Sequence, residues 1–163
     1  MSVFRIIGCA LIFLAILLIR REYSIYVSCK TSELCGFSLL LSHMESEISK
    51  YLSYGREMWH RLACDGLERS GFLQLLKNGH APDEALALCK NRLLISKETQ
   101  QSLSDFFKSF GSEYKDGALK KISEYRIDFD KKLEEEKKEL QKSLKITSTL
   151  LLGGGLTLLI LVI

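Results

Sequence analysis

A long uncharged run lies near each end of the chain, and this restricts the fold more than any other feature. No Asp, Glu, Lys or Arg occurs from Ile6 to Ile19 or from Ile146 to Ile163. A membrane-spanning helix needs about 17–25 mainly apolar residues. The C-terminal run has 18 residues, and the N-terminal run reaches 17 if Val3, Phe4 and Arg5 are included. We therefore predict one transmembrane helix over residues 1–20 and another over 144–163.

The N-terminal run has a second interpretation, a cleaved signal peptide. Signal peptides end in small residues at the cleavage site. Here the apolar run ends directly in Arg20-Arg21-Glu22. The sequence therefore favours a retained helix.

Lysine and arginine near the predicted spans indicate the orientation, because cytoplasmic flanks are enriched in both. Only Arg5 lies on the other side of the first span. We predict a cytoplasmic middle domain with both termini outside, in a multi-pass protein of the cell membrane. The lysines are also expected to meet anionic lipid headgroups. The main flanking cations are Arg20, Arg21, Lys137, Lys138, Lys142 and Lys145.

The middle of the chain, residues 21–143, has the composition of a helical domain. From Arg20 to Lys145 there are 22 Lys and Arg against 20 Asp and Glu, which gives no field for nucleic acid. The whole sequence has one proline, so few helix breaks are forced. The five cysteines form no CxxC pair, and their odd number fits neither a disulfide framework nor a zinc framework.

Apolar residues in this middle part recur at helical spacing, which predicts an all-α domain. One stripe runs from Phe37 to Leu52 and a second from Met58 to Gly66, where we expect a helix to end. A short helix begins at Phe72 and ends at Asn78-Gly79. Pro82 starts the next, whose inward residues are Ala85, Leu86, Leu88 and Cys89. Ser96 is expected to cap a helix that Gly111 ends, and a long final helix begins at about residue 115.

Two groups of residues are candidate contact surfaces. Small residues at every fourth position of the last apolar run allow another transmembrane helix to approach, although glycine is common in membrane helices generally. These residues are Thr149, Gly153 and Thr157. A cluster near the middle of the chain is a candidate partner surface, and core packing is the alternative that we favour. It comprises Tyr51, Tyr54, Met58 and Trp59.

No pattern of residues points to catalysis. His43 with Glu47 and His60 with Cys64 lie four residues apart, but a zinc site needs three or four converging ligands. The Gly153-Gly154-Gly155 run lacks the Lys-Ser/Thr of a phosphate loop. We therefore predict no enzyme activity, no metal, no cofactor and no small-molecule substrate. A Cys–His hydrolase built on His60 and Cys64 is a rival interpretation.

Several segments resemble the stage III sporulation protein AB family of endospore-forming bacteria. Leu41-Ser-His-Met-Glu-Ser-Glu-Ile48 resembles the family's Leu-x-x-Leu-Glu-x-Glu-Ile helix. Phe72 with Leu76 to Gly79, and Phe106-Phe-Lys-Ser-Phe-Gly111, resemble two further motifs. Leu144 to Ile163 is similar to the family's Leu- and Gly-rich last helix. The Leu-Gly, Asp and Gln that often follow the Phe-Gly turn in the family are replaced here by Glu113-Tyr-Lys-Asp-Gly117.

The resemblance implies a role. The central domain of the family is similar to the cytoplasmic domain of the F platform protein of type II secretion and type IV pilus systems, which implies an all-α, small helical bundle of about six helices. The implied function is a membrane platform in a secretion-like channel complex between mother cell and forespore. The implied partners are a secretion-type ATPase and other sporulation channel membrane proteins, and the implied location is the mother-cell membrane. A small membrane-anchored sensor or signalling adaptor is the alternative.

Overall fold

The computed structural model describes residues 3–51, 56–110 and 115–162. Inside these ranges the side chains of 3–6, 9, 51, 56, 57, 115, 116, 156 and 158–162 are not described. Every regular element in the described ranges is a helix, as the sequence predicts. The helices are α1 (Val3–Tyr51), α2 (Arg56–His60), α3 (Asp65–Arg69), α4 (Phe72–Lys77), α5 (Pro82–Cys89), α6 (Lys97–Phe110) and α7 (Lys115–Val162).

The chain forms two compact units. The bundle unit comprises Cys29–Glu135, and the end unit comprises Met1–Ser28 with Glu136–Ile163. The helices α1 and α7 are 49 and 48 residues long, and each contributes residues to both units. The predicted domain limits at residues 21 and 143 each lie eight residues, about two helical turns, outside the limits of the bundle unit.

The bundle unit has a densely packed apolar core. Leu34, Phe37, Leu40, Leu41 and Ile48 of α1 are at most 1% exposed. The short helices and α6 bury the opposing side chains, and Ile122, Phe129 and Leu133 of α7 complete the core. The opposing side chains are Leu67, Phe72, Leu73, Leu76, Leu86, Leu103, Phe106 and Phe107.

Aromatic rings connect α1 to α7 through this core. The Phe37 and Phe72 ring centroids are 5.2 Å apart, and Phe72 lies 6.3 Å from Phe107. Phe106 continues the series and stacks on Tyr125 of α7 at 4.2 Å. Aromatic pairs at these separations add to the stabilisation that burial alone supplies.

Local sequence signals set the short helices as predicted. Gly79 has φ +95° after α4, and Gly71 before it has φ +81°, a region that glycine enters without steric cost. Pro82 occupies the first turn of α5. Ser96 caps α6, because its Oγ accepts a hydrogen bond from the Thr99 N–H at 3.1 Å. Gly111, the predicted end of α6, lies outside the described residues.

Two details differ from the prediction. Gly66 does not end a helix but lies within α3, where it packs against α1. A Cβ at this position would be 2.4 Å from the Ser32 carbonyl oxygen, so the glycine permits close helix packing. Leu88 is 58% exposed, whereas Ala85, Leu86 and Cys89 of the same helix are buried as expected. The eight residues of α5 offer one face to the core, and Leu88 lies outside it.

Contacts between α1 and α7 hold the end unit. The Tyr23 and Ser143 hydroxyls are 2.7 Å apart. A Cβ on Gly155 would meet the Ile16 side chain at 2.3 Å, so the glycine allows the two helices to approach there. Among the described residues, no helix combines the length and apolarity that crossing a bilayer requires. The two transmembrane helices therefore remain predictions from the sequence.

Candidate interaction surfaces

The α1 segment from Leu41 to Ile48 anchors the bundle unit. Leu41, Met44 and Ile48 are buried in the core. On another side of the helix, Arg126 Nη1 of α7 lies 2.8 Å from Glu45 Oε2. Charge-assisted contacts of this length are stronger than neutral hydrogen bonds. The segment thus combines core packing with a polar tie to α7.

The same segment holds the α2 region in place. His43 Nε2 lies 2.8 Å from the Met58 carbonyl oxygen, so the ring nitrogen donates there. Arg61 Nη1 lies 3.7 Å from Glu47 Oε2, and Glu47 is 6% exposed. Since both polar side chains contact the neighbouring segment, His43 and Glu47 act in the structure as packing residues.

A second buried carboxylate, Glu33, ties α1 to the segment before α6. Its Oε2 accepts a hydrogen bond from the Leu94 N–H at 2.7 Å. Burial raises the pKa of the Glu33 carboxyl, while the backbone groups of Leu94 and Ile95 and the charge of Arg69 oppose the rise. Nothing local in the sequence marks Glu33, because its partner lies 61 positions away.

A cleft between α6 and α7 is rimmed mainly by carboxylates. The Tyr125 hydroxyl at its base lies 3.0 Å from Ser102 Oγ. Burial raises the pKa of Tyr125 above its ordinary value. The Asp105 carboxylate raises this pKa further, whereas the hydrogen bond with Ser102 lowers it. Five acidic residues and three lysines line the cleft. They are Glu98, Asp105, Glu124, Asp128 and Glu135, with Lys121, Lys131 and Lys132.

A groove of about 460 Å³ between α5 and α6 has the opposite charge. Lys90, Lys97 and Lys108 line it, and no carboxylate does. The remaining lining groups are amides, a hydroxyl and small apolar side chains. We refer to it as the lysine groove. An exposed site with one sign of charge attracts a partner surface of the opposite sign and orients it.

Comparison with known families decides what kind of protein carries these surfaces. The sequence profile described as Stage III sporulation protein AB matches residues 5–163, nearly the whole chain. The chain belongs to the stage III sporulation protein AB family. Neither a curated protein nor a solved structure matches the chain. Membership of this family gives the protein a sporulation-related role.

The family-like motifs therefore coincide with structural anchors of this sporulation protein. Leu41 to Ile48 makes the α1 contacts described above. Phe72 and Leu76 are fully buried, and Gly79 takes the left-handed conformation after α4. These residues stabilise the bundle unit, and the surfaces that stay open are the candidates for contacts with other molecules.

The two described residues of the candidate aromatic surface are buried. Met58 and Trp59 are 4% and 6% exposed, because α2 packs them into the bundle unit. Their burial agrees with core packing, the alternative favoured from the sequence. Tyr54 and the side chain of Tyr51 lie outside the described residues. The adaptor interpretation therefore loses the two described residues of its surface.

The small residues of the last apolar run are open instead. Thr149 Oγ1 donates to the Lys145 carbonyl, and Thr157 Oγ1 donates to that of Gly153, at 3.0 and 2.9 Å. A Cβ on Gly153 would meet nothing within 4 Å. Packing of a second transmembrane helix on this side stays a prediction. The flanking cations Arg20, Arg21, Lys138, Lys142 and Lys145 are exposed, and Lys137 is half-buried.

The candidate metal-binding and catalytic residues differ in their surroundings. In the part of the chain that is described, no three His, Cys, Asp or Glu side chains could hold a metal ion. The Cys64 thiol packs beside Gly36 of α1, where a Cβ would meet its Sγ at 2.8 Å, and His60 is exposed at the end of α2. Burial raises the pKa of Cys89, which disfavours its reactive thiolate. The absence of enzyme activity stays a prediction.

Proposed function

We propose that this protein is a non-enzymatic, membrane-anchored platform in a secretion-like channel complex between mother cell and forespore. Family membership over residues 5–163 supports the link to sporulation. The uncharged ends support two membrane anchors in the mother-cell membrane, with the bundle unit cytoplasmic and both termini outside. The bundle unit is then comparable in role to the secretion F domain.

The lysine groove is the observation that carries the platform role. Within the described residues, Lys90, Lys97 and Lys108 form no ion pair, so their charges are available to a partner. In contrast, the buried carboxylates of Glu33 and Glu47 contact other groups within the bundle unit. We propose that a secretion-type ATPase docks here through an acidic surface. Other membrane proteins of the channel are proposed to contact the small-residue side of Thr149, Gly153 and Thr157.

Capture of the partner ATPase by the full chain in membranes tests the docking role. We expect Lys90→Glu with Lys97→Glu to weaken capture about tenfold, since two attractive contacts become repulsive. The matched control is Lys120→Glu with Lys131→Glu, which makes the same change in net charge on an exposed face of α7. Equal capture by wild type and the groove variant would contradict docking in the lysine groove.

The rival hydrolase interpretation has its own experiment. His60→Ala and Cys64→Ala remove both candidate groups of the pair. We expect sporulation to proceed as in the wild type, because His60 is exposed and Cys64 is held against α1. A sporulation block by either variant, with normal protein levels and normal ATPase capture, would support catalysis instead.

A further inference from the structure

The lysine groove contains a buried amide with an unused hydrogen-bond acceptor. Gln100 lines the groove and is 8% exposed. Its Nε2 donates to the Ile95 carbonyl at 3.2 Å, which fixes the orientation of the amide because a carbonyl can only accept. Within the described residues, the Oε1 atom on the other arm of the amide accepts no hydrogen bond. This oxygen is not fully enclosed by protein, so it opens toward the groove that Gln100 lines.

We propose that the lysine groove binds a short acidic peptide segment in extended conformation, such as a tail or loop of the docked partner. Carboxylates of the segment contact the lysines, and one backbone N–H of the segment donates to Gln100 Oε1. This inference rests on the proposed docking of an ATPase in the same groove and specifies the chemistry of what enters it.

The functional groups of the groove require an occupant that has both acceptors and a donor. The ammonium groups of Lys90, Lys97 and Lys108 can only donate hydrogen bonds. In contrast, Gln100 Oε1 can only accept one. A fully ionised anion such as sulfate offers acceptors alone, and a buried acceptor left without a donor is unfavourable. A peptide with acidic side chains supplies both kinds of group.

The positions along α6 set the length of the segment. Lys97, Gln101, Ser104 and Lys108 recur at steps of four, three and four residues, so they lie along one side of the helix. The two lysines are eleven positions apart, which is about 16 Å along the helix axis. Five extended residues span roughly the same length. A segment with an acidic residue at each end therefore reaches both lysines, with its backbone passing Gln100 between them.

The need for a backbone donor explains why the segment is extended. Inside an α-helix, each N–H group is bonded to the carbonyl four residues earlier. Extended backbone keeps its N–H groups free, and a single free first turn of a helix is too short to reach both lysines. The groove volume of about 460 Å³ is that of a small-ligand pocket, which suits a few residues and not a folded domain.

Solvated lysines are the competing explanation of the groove. A water molecule can satisfy a buried acceptor, and acidic peptides would then bind by charge alone. The distribution of charge on α6 favours docking instead. Glu98 and Asp105 line the cleft toward α7, whereas among the described residues no carboxylate lines the groove. An acidic segment therefore meets no like charge there.

Fluorescence anisotropy of a labelled peptide, titrated with the full chain in a mild detergent, tests the proposal. The probe has five residues, with glutamate at both ends, alanine between them and blocked termini. Three further peptides carry N-methylalanine at one of the alanine positions, which removes one N–H donor without a change in charge. We expect one of the three to bind about fivefold more weakly, the loss that corresponds to one hydrogen bond. Equal binding by all four peptides would overturn the proposal.

A variant of the groove identifies the acceptor. Gln100→Met removes Oε1 at similar side-chain volume, and Gln74→Met on the exposed side of α4 is the matched control. We expect Gln100→Met to bind the unmodified peptide about fivefold more weakly, and the sensitive N-methyl peptide should then bind no worse than the unmodified one. Gln74→Met should behave as the wild type. A full effect of N-methylation in Gln100→Met would assign the donor to another acceptor and contradict the proposal.

The lysines are tested in the same titration. Lys97→Glu with Lys108→Glu should weaken binding of the probe about tenfold, because both end contacts become repulsive. A peptide with glutamine at both ends should bind the wild type as weakly. Sulfate that displaces the probe as well as unlabelled peptide does, at equal ionic strength, would show a simple anion site and overturn the proposal.

Failure of this proposal and failure of ATPase docking are distinguishable. Capture of the ATPase through the groove without binding of the peptides would overturn the extended segment and leave the docking role in place. Peptide binding that depends on Gln100 would support the segment. If Lys90→Glu with Lys97→Glu nevertheless captured the ATPase as the wild type does, the docking role would fail and the segment would belong to another partner.

Discussion

The bundle unit and the end unit differ in how far their apolar side chains are exposed. In the described bundle unit, Leu39, Leu88 and Ile127 are exposed large hydrophobic residues, and most of the others are buried in the core or half-buried at its edge. In the end unit such side chains are exposed along both helices, as Leu11 at 61% and Leu150 at 69% illustrate. Apolar surface of this extent is not left in water by a stable protein.

The difference shows two routes to covering apolar surface. The helices of the bundle unit bury their apolar faces against one another, because apolar residues recur at helical spacing and charged residues occupy the opposite faces. The end unit has uncharged runs without a polar side, so its cover must come from outside the unit. A bilayer is the cover that we propose, and the following variants test each side of this contrast.

The largest effect is expected from charges in both apolar ends. Leu11→Asp with Leu152→Asp should release the chain from membranes, because a central aspartate costs about 2.5–3.5 kcal/mol in each span. Each single variant should stay attached by the other end. Extraction with alkaline carbonate measures this, and Leu88→Asp in the bundle unit is the control that should remain bound. Wild-type protein released by carbonate would contradict the membrane proposal.

Removal of one ring from the aromatic core should have the next largest effect. Phe72→Ala deletes a fully buried side chain that contacts Phe37 and Phe107. We expect the free energy of unfolding to fall by about 3–5 kcal/mol. Denaturant unfolding of the full chain in detergent measures it. Leu88→Ala is the exposed control, and a similar loss there would mean that burial does not set the cost.

Glycines within helices provide a matched pair across the two units. A methyl group at Gly66 would collide with the Ser32 carbonyl, whereas one at Gly153 meets open space. We expect Gly66→Ala to destabilise the bundle unit by about 1–3 kcal/mol. Gly153→Ala should be neutral or stabilising by up to about 1 kcal/mol, since alanine favours helix. Unfolding of both variants under the same conditions gives the comparison, and equal effects would contradict it.

Local and periodic signals in the sequence predict most of the bundle unit. Ser96, Pro82 and Gly79 act through neighbouring residues, and their roles are as expected. The start of the last helix at about residue 115 also follows from the pattern. Gly66 and Leu88 were predicted wrongly, because their environments depend on which helix packs against them.

Candidate contact surfaces are harder to predict than helices. The sequence clusters Met58 with Trp59 but does not show that α2 buries them. The lysine groove brings together Lys90, Lys97 and Lys108 from two helices, and only packing of α5 on α6 makes them neighbours. The role of Glu33 is equally hard to predict from the sequence, since its hydrogen-bond partner Leu94 is distant in the chain.

The smallest expected effect concerns the pH dependence that Glu33 gives to the bundle unit. Burial raises the pKa of this carboxyl in the folded protein above its ordinary value of 4.5. The folded state therefore holds the proton at pH values where the unfolded state has lost it. Stability from this group is fully present below the ordinary pKa and declines as pH rises through the folded pKa.

Glu33→Gln should remove that decline, because glutamine stays neutral and its carbonyl can still accept the Leu94 N–H. Denaturant midpoints from pH 4.5 upward, with Glu98→Gln on the exposed side of α6 as the control, measure the difference in slope. A wild-type midpoint that falls no faster with pH than that of Glu33→Gln would show that backbone hydrogen bonds and Arg69 offset burial completely. The tie from α1 to Leu94 would then favour the ionised carboxylate.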